Sequence, residues 1–75
     1  MKIKTEFGAR FKLLRKELNL NQEEIAENIG IDVSSINRYE KDKREPEYAT
    51  LLKIAAFFNV STDYLLGWTE NRKRL

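Results

Sequence analysis

Two helices too short to stand alone, joined by a single glycine between Asn21 and Lys41, constrain this chain more than anything else in it. Asn21 is placed to cap the first, Glu24 three residues on completes a capping box, and Ile25 and Ile29 with the small Ala26 form an inward stripe. Gly30 supplies a left-handed stop. Asp32 is placed to cap the second helix, which is patterned to about Lys41. Helices of this length are marginal in isolation, so both must be held by the rest of the chain. At 100° per residue, Val33, Ser34, Asn37, Arg38 and Lys41 share an arc of roughly 140° on the second helix, while Ser35, Ile36, Tyr39 and Glu40 fill the other side. Nothing in the sequence is available to bury that polar arc, and a helix with such a face suits a DNA groove.

The flanking segments supply the support. Phe7, Phe11, Leu14 and Leu18 recur at helical spacing and predict an amphipathic helix over about 5–18, with Lys12, Arg15 and Lys16 near or outside its stripe and Asn19 as its stop. The two central helices follow at about 22–29 and 33–41. Pro46 lacks a backbone donor and biases Glu45 away from helix, so 42–46 is a loop. Leu51, Ile54, Ala55 and Phe58 mark a fourth helix over about 47–58. Val60 and Ser61 open a fifth, capped by Ser61, with Leu65 and Leu66 inward and Gly67 as its end. No strand pattern appears, so the class is all-α. The expected core is Phe7, Phe11, Leu14, Leu18, Leu20, Ile25, Ala26, Ile29, Ile31, Ile36, Tyr39, Leu51, Ile54, Ala55, Phe58, Val60, Leu65 and Leu66. Residues 68–75, with Arg72, Lys73 and Arg74, show no periodicity and are expected to be a mobile basic tail or the start of a linker.

Composition narrows the functions. The chain has 75 residues and neither Cys nor His. That length suits one domain and leaves no room for a scaffolded catalytic cavity. The missing residue types remove disulfides, thiolate chemistry, the usual zinc ligands and the usual neutral-pH base, so no metal, no cofactor and no enzymatic activity are expected. The acids Glu23, Glu24 and Glu27 are explained by charge complementarity at a helix start. No signal peptide or membrane-length apolar run is visible, and a cytoplasmic protein is expected. A net charge of +2 says little about polyanions, but Arg38, Lys41, Lys43 and Arg44 lie close together.

Counting from Gln22, Ala26 falls fifth, Gly30 ninth and Ile36 fifteenth, a spacing that resembles the helix-turn-helix of the lambda-repressor/Cro-like (XRE) family. The likeness continues through Glu40-Lys41-Asp42-Lys43-Arg44-Glu45-Pro46, Leu51-Leu52-Lys53-Ile54-Ala55 and Val60-Ser61-Thr62-Asp63-Tyr64-Leu65-Leu66, covering about residues 5–67. It implies a five-helix lambda-repressor-like DNA-binding domain over residues 1–67. It also implies a sequence-specific regulator of transcription, of the phage or plasmid repressor kind, bound as a homodimer to a near-palindromic operator in double-stranded DNA. The alternative is a protein-interaction module, such as an antitoxin, with DNA binding secondary.

The family places base readers at the positions of Val33, Ser34 and Arg38. By chemistry, Arg38 suits guanine, Asn37 suits adenine, Val33 a thymine methyl group, and Ser34 a base or a phosphate. Asn21, Gln22, Lys41, Lys43 and Arg44 are the expected phosphate contacts, with Gln22 also suited to bridge to the recognition helix. The resemblance further implies an ion pair between Arg15 and Glu40, bracing that helix. Phe57, Tyr64, Leu65 and Trp68 are the expected dimer surface. Many relatives have glycine where Asp42 stands, and Asp tolerates left-handed backbone less well, which leaves the course of Lys43 and Arg44 open.

Overall fold

The computed structural model describes residues 1 and 3–74. Those residues form five helices and no strand: α1 Phe7–Glu17, α2 Gln22–Ile29, α3 Val33–Glu40, α4 Tyr48–Phe58 and α5 Thr62–Leu66. The boundaries of α2 and the starts of α3 and α5 have a chemical cause. At the start of α2 the Asn21 side chain accepts from Glu24 N at 2.8 Å, and Asn21 N donates to the Glu24 carboxylate at 2.9 Å. Gly30 ends α2 in the left-handed region at φ 80°, a conformation that costs a residue with a Cβ. Asp32 caps α3, and Ser61 caps α5 by accepting from Tyr64 N at 3.0 Å.

The core gathers one stripe from every helix. Phe11, Ile25, Ile36, Ile54 and Leu65 are its fully buried centre. Phe11 meets Phe7 edge-to-face at 5.6 Å and Phe58 at 5.9 Å, arrangements that suit the ring quadrupoles. α3 lies against both α1 and α2, so its inward side is fixed by two neighbours. Leu18 departs from expectation: it is 52% exposed. α1 stops at Glu17, the left-handed Asn19 (φ 57°) redirects the chain, and Leu20 packs on the core in its place. Leu66 is likewise only partly covered.

Two features of α1 carry the tertiary arrangement. Gly8 sits where α1 crosses the end of α3, and a Cβ there would lie 2.6 Å from Tyr39 O and 2.6 Å from Asp42 Oδ1. At an exposed helical position Gly→Ala gains about 1 kcal/mol. Here the obstacle is backbone, so Gly8→Ala is expected to destabilise by about 1–3 kcal/mol, and urea denaturation gives the sign directly.

Arg10, on the same stripe as Phe7 and Leu14, is buried with its guanidinium 4.4 Å from the centre of the Tyr64 ring. It donates to Tyr64 O at 2.9 Å, Thr69 O at 2.7 Å and the Glu70 carboxylate at 2.7 Å. Residues 68–72, within the segment expected to be a mobile basic tail or the start of a linker, are thereby anchored. Trp68 N donates to Asp63 O, Ser61 N donates to Arg72 O, and Arg72 makes a two-pronged pair with Glu17 at 2.8 Å on each arm. The Arg72 guanidinium also lies 5.0 Å from the Tyr64 ring centre. The helical pattern had no means of registering this segment, because its order comes from contacts with α1 and α5. Leu75, the last residue of the expected tail, lies outside the described residues.

Candidate nucleic-acid interface

One side of α3 is sealed and the other is open. Ser35, Ile36 and Tyr39 are buried, Asn37 is half-buried, and Val33, Ser34 and Arg38 are exposed, with Lys41 exposed just after the helix. Val33 is 44% exposed.

The sealed side is locked by charge as well as packing. Arg15 Nε donates to Glu40 Oε2 at 2.6 Å and Arg15 Nη2 to Glu40 Oε1 at 2.9 Å, while Arg15 Nη1 reaches Leu20 O at 2.8 Å. Both side chains are withdrawn from water, at 9% and 3% exposure. The hydrogen bond that Arg15 donates to Glu40 raises the Arg15 pKa above its usual value against the opposing effect of burial. Gln22 extends the chain of contacts: its amide donates to Glu40 Oε1 at 3.2 Å and accepts from Asn37 Nδ2 at 3.3 Å. Gln22 thus bridges α2 to α3, and one Asn37 amide hydrogen is directed toward Gln22.

At the amino end of α3, Asp32 is the hub of three hydrogen bonds. Its Oδ2 accepts from Ser34 Oγ at 2.7 Å and from Ser35 N at 2.9 Å, and its Oδ1 accepts from Ser35 Oγ at 2.9 Å. The Ser34 hydroxyl, then the Ser35 hydroxyl and backbone N–H, hold the carboxyl well below its ordinary 3.8, at about 2. A depressed carboxyl pKa stabilises the fold above the unfolded-state value, and that contribution disappears as pH falls through the folded-state value. The thermal-stability advantage of the native chain over Asp32→Asn is therefore expected to hold above about pH 4 and shrink toward about pH 2. Melting curves across that window check it.

The loop after α3 resolves the question raised by Asp42. Asp42 is left-handed at φ 56°. Lys43 N donates to Arg38 O at 2.9 Å and Asp42 N to Tyr39 O at 3.2 Å, the paired bonds of a Schellman turn. The Asp42 carboxylate then accepts from Gly8 N at 3.2 Å, capping the first turn of α1 from outside the helix. The turn is retained without glycine, and Lys43 emerges exposed. Arg44 is exposed overall but bends back, its Nη1 donating to Ser35 Oγ at 2.9 Å. Asn21 is exposed, with its side-chain oxygen engaged in the α2 cap.

Of the expected dimer surface, Tyr64 and Leu65 require correction. They are 4% and 0% exposed because α5 turns both into the core, and neither can meet a partner. Phe57 is 36% and Trp68 80% exposed. The Arg10 and Asp32 clusters escaped the sequence reading, although a lone arginine on the apolar stripe of α1 was a usable sign of the first. Among the described residues no helix is long and apolar enough to cross a membrane, and no group of His, Cys, Asp and Glu is placed to hold a metal.

Comparison with known proteins gives concordant matches. The family described as Helix-turn-helix matches residues 11–65. The chain is similar to the HTH-type transcriptional regulator ImmR of Bacillus subtilis, 43% identical over 67 residues that cover 89% of this chain and 53% of that protein. It is also similar to the cryptic phage CTXphi transcriptional repressor RstR of Vibrio cholerae, 36% identical over 64 residues, covering 85% of this chain and 58% of the repressor. Among solved structures, the P22 c2 repressor in complex with a synthetic operator superposes with a TM-score of 0.76 at 30% identity, over 80% of this chain and 91% of that one. The chain spans about half the length of the curated relatives it matches first.

Proposed function

From the premise that this chain belongs to the helix-turn-helix family of the lambda-repressor/Cro-like kind, we propose that it is a sequence-specific DNA-binding regulator of transcription, a repressor of the phage type. The observation that carries this reading is the division of α3: an inward side clamped by Ile36, Tyr39 and the Arg15–Glu40 pair, and an outward side of Val33, Ser34 and Arg38. A helix so clamped can be pushed into a major groove without rearranging, and the groove admits one such helix.

In this reading Arg38 forms two parallel hydrogen bonds to a guanine, and Val33 touches a thymine methyl group. Asn37 retains its side-chain oxygen and one amide hydrogen for an adenine edge. Asn21, Gln22, Lys41 and Lys43 hold phosphates on either side of the groove, and Arg44 does so with the part of its fork not directed to Ser35. Two copies related by a twofold axis read a near-palindromic operator, their recognition helices about 34 Å apart. Phe57 and Trp68 are the members of the expected dimer set that remain available for that contact.

Selection from random duplexes by the purified chain, followed by mobility-shift titration, tests the reading. The native chain is expected to enrich one symmetric site. Arg38→Ala, an exposed change that leaves the core intact, is expected to cost about 1–3 kcal/mol of affinity and relax selection at one base pair per half-site. Unchanged affinity and selection in that variant would refute the groove-facing assignment.

A further inference from the structure

The hydrogen-bond polarity at the start of α3 narrows what this end of the helix can read, granted the DNA-binding reading above. We propose that Asp32 fixes Ser34 as an acceptor-only reader, so that Ser34 contacts the exocyclic amine of a base pair, N4 of cytosine or N6 of adenine, and not the guanine or thymine oxygen beside it in the major groove.

A serine hydroxyl has one proton and two lone pairs. The Ser34 proton points to Asp32 Oδ2 at 2.7 Å, within the range of a strong bond to a carboxylate. What Ser34 retains for DNA is its lone pairs. The same accounting applies to the neighbours. Asp32 Oδ2 already accepts twice, Asp32 Oδ1 accepts from Ser35 Oγ, and Ser35 Oγ in turn accepts from Arg44 Nη1. At Ser34 itself the groups left over at the outer edge are therefore acceptors beside the Asp32 carboxylate, while the free donors of the cluster belong to the Arg44 fork, which is bound at Ser35 and not at Ser34.

That edge is mismatched to phosphate, which offers only acceptors and carries charge of the same sign. It is equally mismatched to guanine O6 and N7 and to thymine O4. It matches the N4 amine of cytosine and the N6 amine of adenine, and an anionic neighbour strengthens a bond accepted from an amine. Asp32 touches no base in this scheme. It is a positioning residue, setting the direction of the Ser34 proton while it caps the helix.

The test is selection from random duplexes with the native chain, Ser34→Ala and Asp32→Gly, followed by affinity measurement on the selected site with the base amine deleted (purine for adenine, 2-pyrimidinone for cytosine) or the partner's oxygen deleted (2-aminopurine for guanine, 5-methyl-2-pyrimidinone for thymine). Ser34→Ala identifies the position read, as the one whose preference it flattens. At that pair the native chain is expected to lose about tenfold in affinity on amine deletion and little on oxygen deletion. Glycine is tolerated at a helix cap, and circular dichroism with a melting curve checks that α3 persists. In Asp32→Gly no side-chain acceptor remains, the Ser34 proton is released, and the guanine or thymine oxygen is expected to become the group whose deletion matters. A purely structural role for Asp32 would lower affinity for all sequences alike and leave the preference in place.

Native affinity that falls on oxygen deletion and not on amine deletion, no position altered by Ser34→Ala, or an unaltered response in Asp32→Gly would each overturn the assignment while leaving the DNA-binding reading intact. Enrichment of no sequence by the native chain would overturn the regulator reading and this assignment with it.

Discussion

Arg15→Met is expected to destabilise the domain by about 3–5 kcal/mol, a large share of the roughly 5–15 kcal/mol that holds any small domain together. The reason is what the substitution leaves behind. Glu40 is 3% exposed and receives two of its hydrogen bonds from Arg15. Without them its Oε2 has no donor, and Oε1 keeps only the Gln22 amide at 3.2 Å. Leu20 O loses its partner as well. A buried carboxylate in that state bears the desolvation cost without the attraction that offset it. The double variant Arg15→Met, Glu40→Met is expected to recover most of the loss, because the pair's net worth is small even though breaking it is expensive. Urea denaturation of both single variants and the double, read as a thermodynamic cycle, separates the pair from its surroundings. A loss below about 1 kcal/mol in Arg15→Met would contradict the burial argument. The double variant is also expected to bind DNA less tightly than its stability suggests, since Gln22 is tethered to α3 through Glu40 and in turn accepts from the Asn37 amide.

What could be read in the sequence was what depends on local spacing. The capping box of Asn21 and Glu24, the glycine stop at Gly30 and the Asp32 cap are decided within four residues, and each lies where the pattern put it. The Arg15–Glu40 contact is different in kind. No periodicity connects two residues on separate helices, and it entered only through resemblance to a family. Contacts without either support were missed. Gly8 looks like a flaw in a helix until Tyr39 O is found against it. Asp42 looks like a poor substitute for glycine until its carboxylate is found on Gly8 N. Tyr64 was assigned to the surface because a five-residue helix has too few turns to declare its inward side, and only the Arg10 and Arg72 guanidiniums reveal that its ring is enclosed. The recognition face was legible as a set of residues. The direction of its hydrogen bonds was not, because a hydroxyl's proton is assigned by its partner, and the partner of Ser34 is an oxygen set in place by the cap.

The largest effect concerns binding, and it follows from how few cations this chain has to spare. If each copy neutralises about four phosphates, a dimer releases counterions from about eight, and the slope of log affinity against log salt is about −7. Between about 50 and 200 mM salt the complex is then expected to lose about 10³ to 10⁵ in affinity. With a formal charge of only +2 over the whole chain, long-range attraction is weak, so the slope must come from specific side chains near the groove. Lys41 and Lys43 are exposed at the end of α3, and no salt bridge engages them among the described residues. Arg10, Arg15 and Arg72 are committed to carboxylates and contribute nothing new on binding. Lys43→Ala is therefore expected to flatten the slope by about 1 per copy, about 2 for the dimer, and to weaken all sequences alike. Ser34→Ala is expected to change selectivity with the slope unaltered, because a neutral hydroxyl displaces no counterion. Titrations at four or more salt concentrations with the three proteins distinguish these cases. A slope indifferent to salt in the native chain, or one that responds to Ser34→Ala but not to Lys43→Ala, would mean that the basic loop does not lie along the phosphates and that the face presented to DNA has been misassigned.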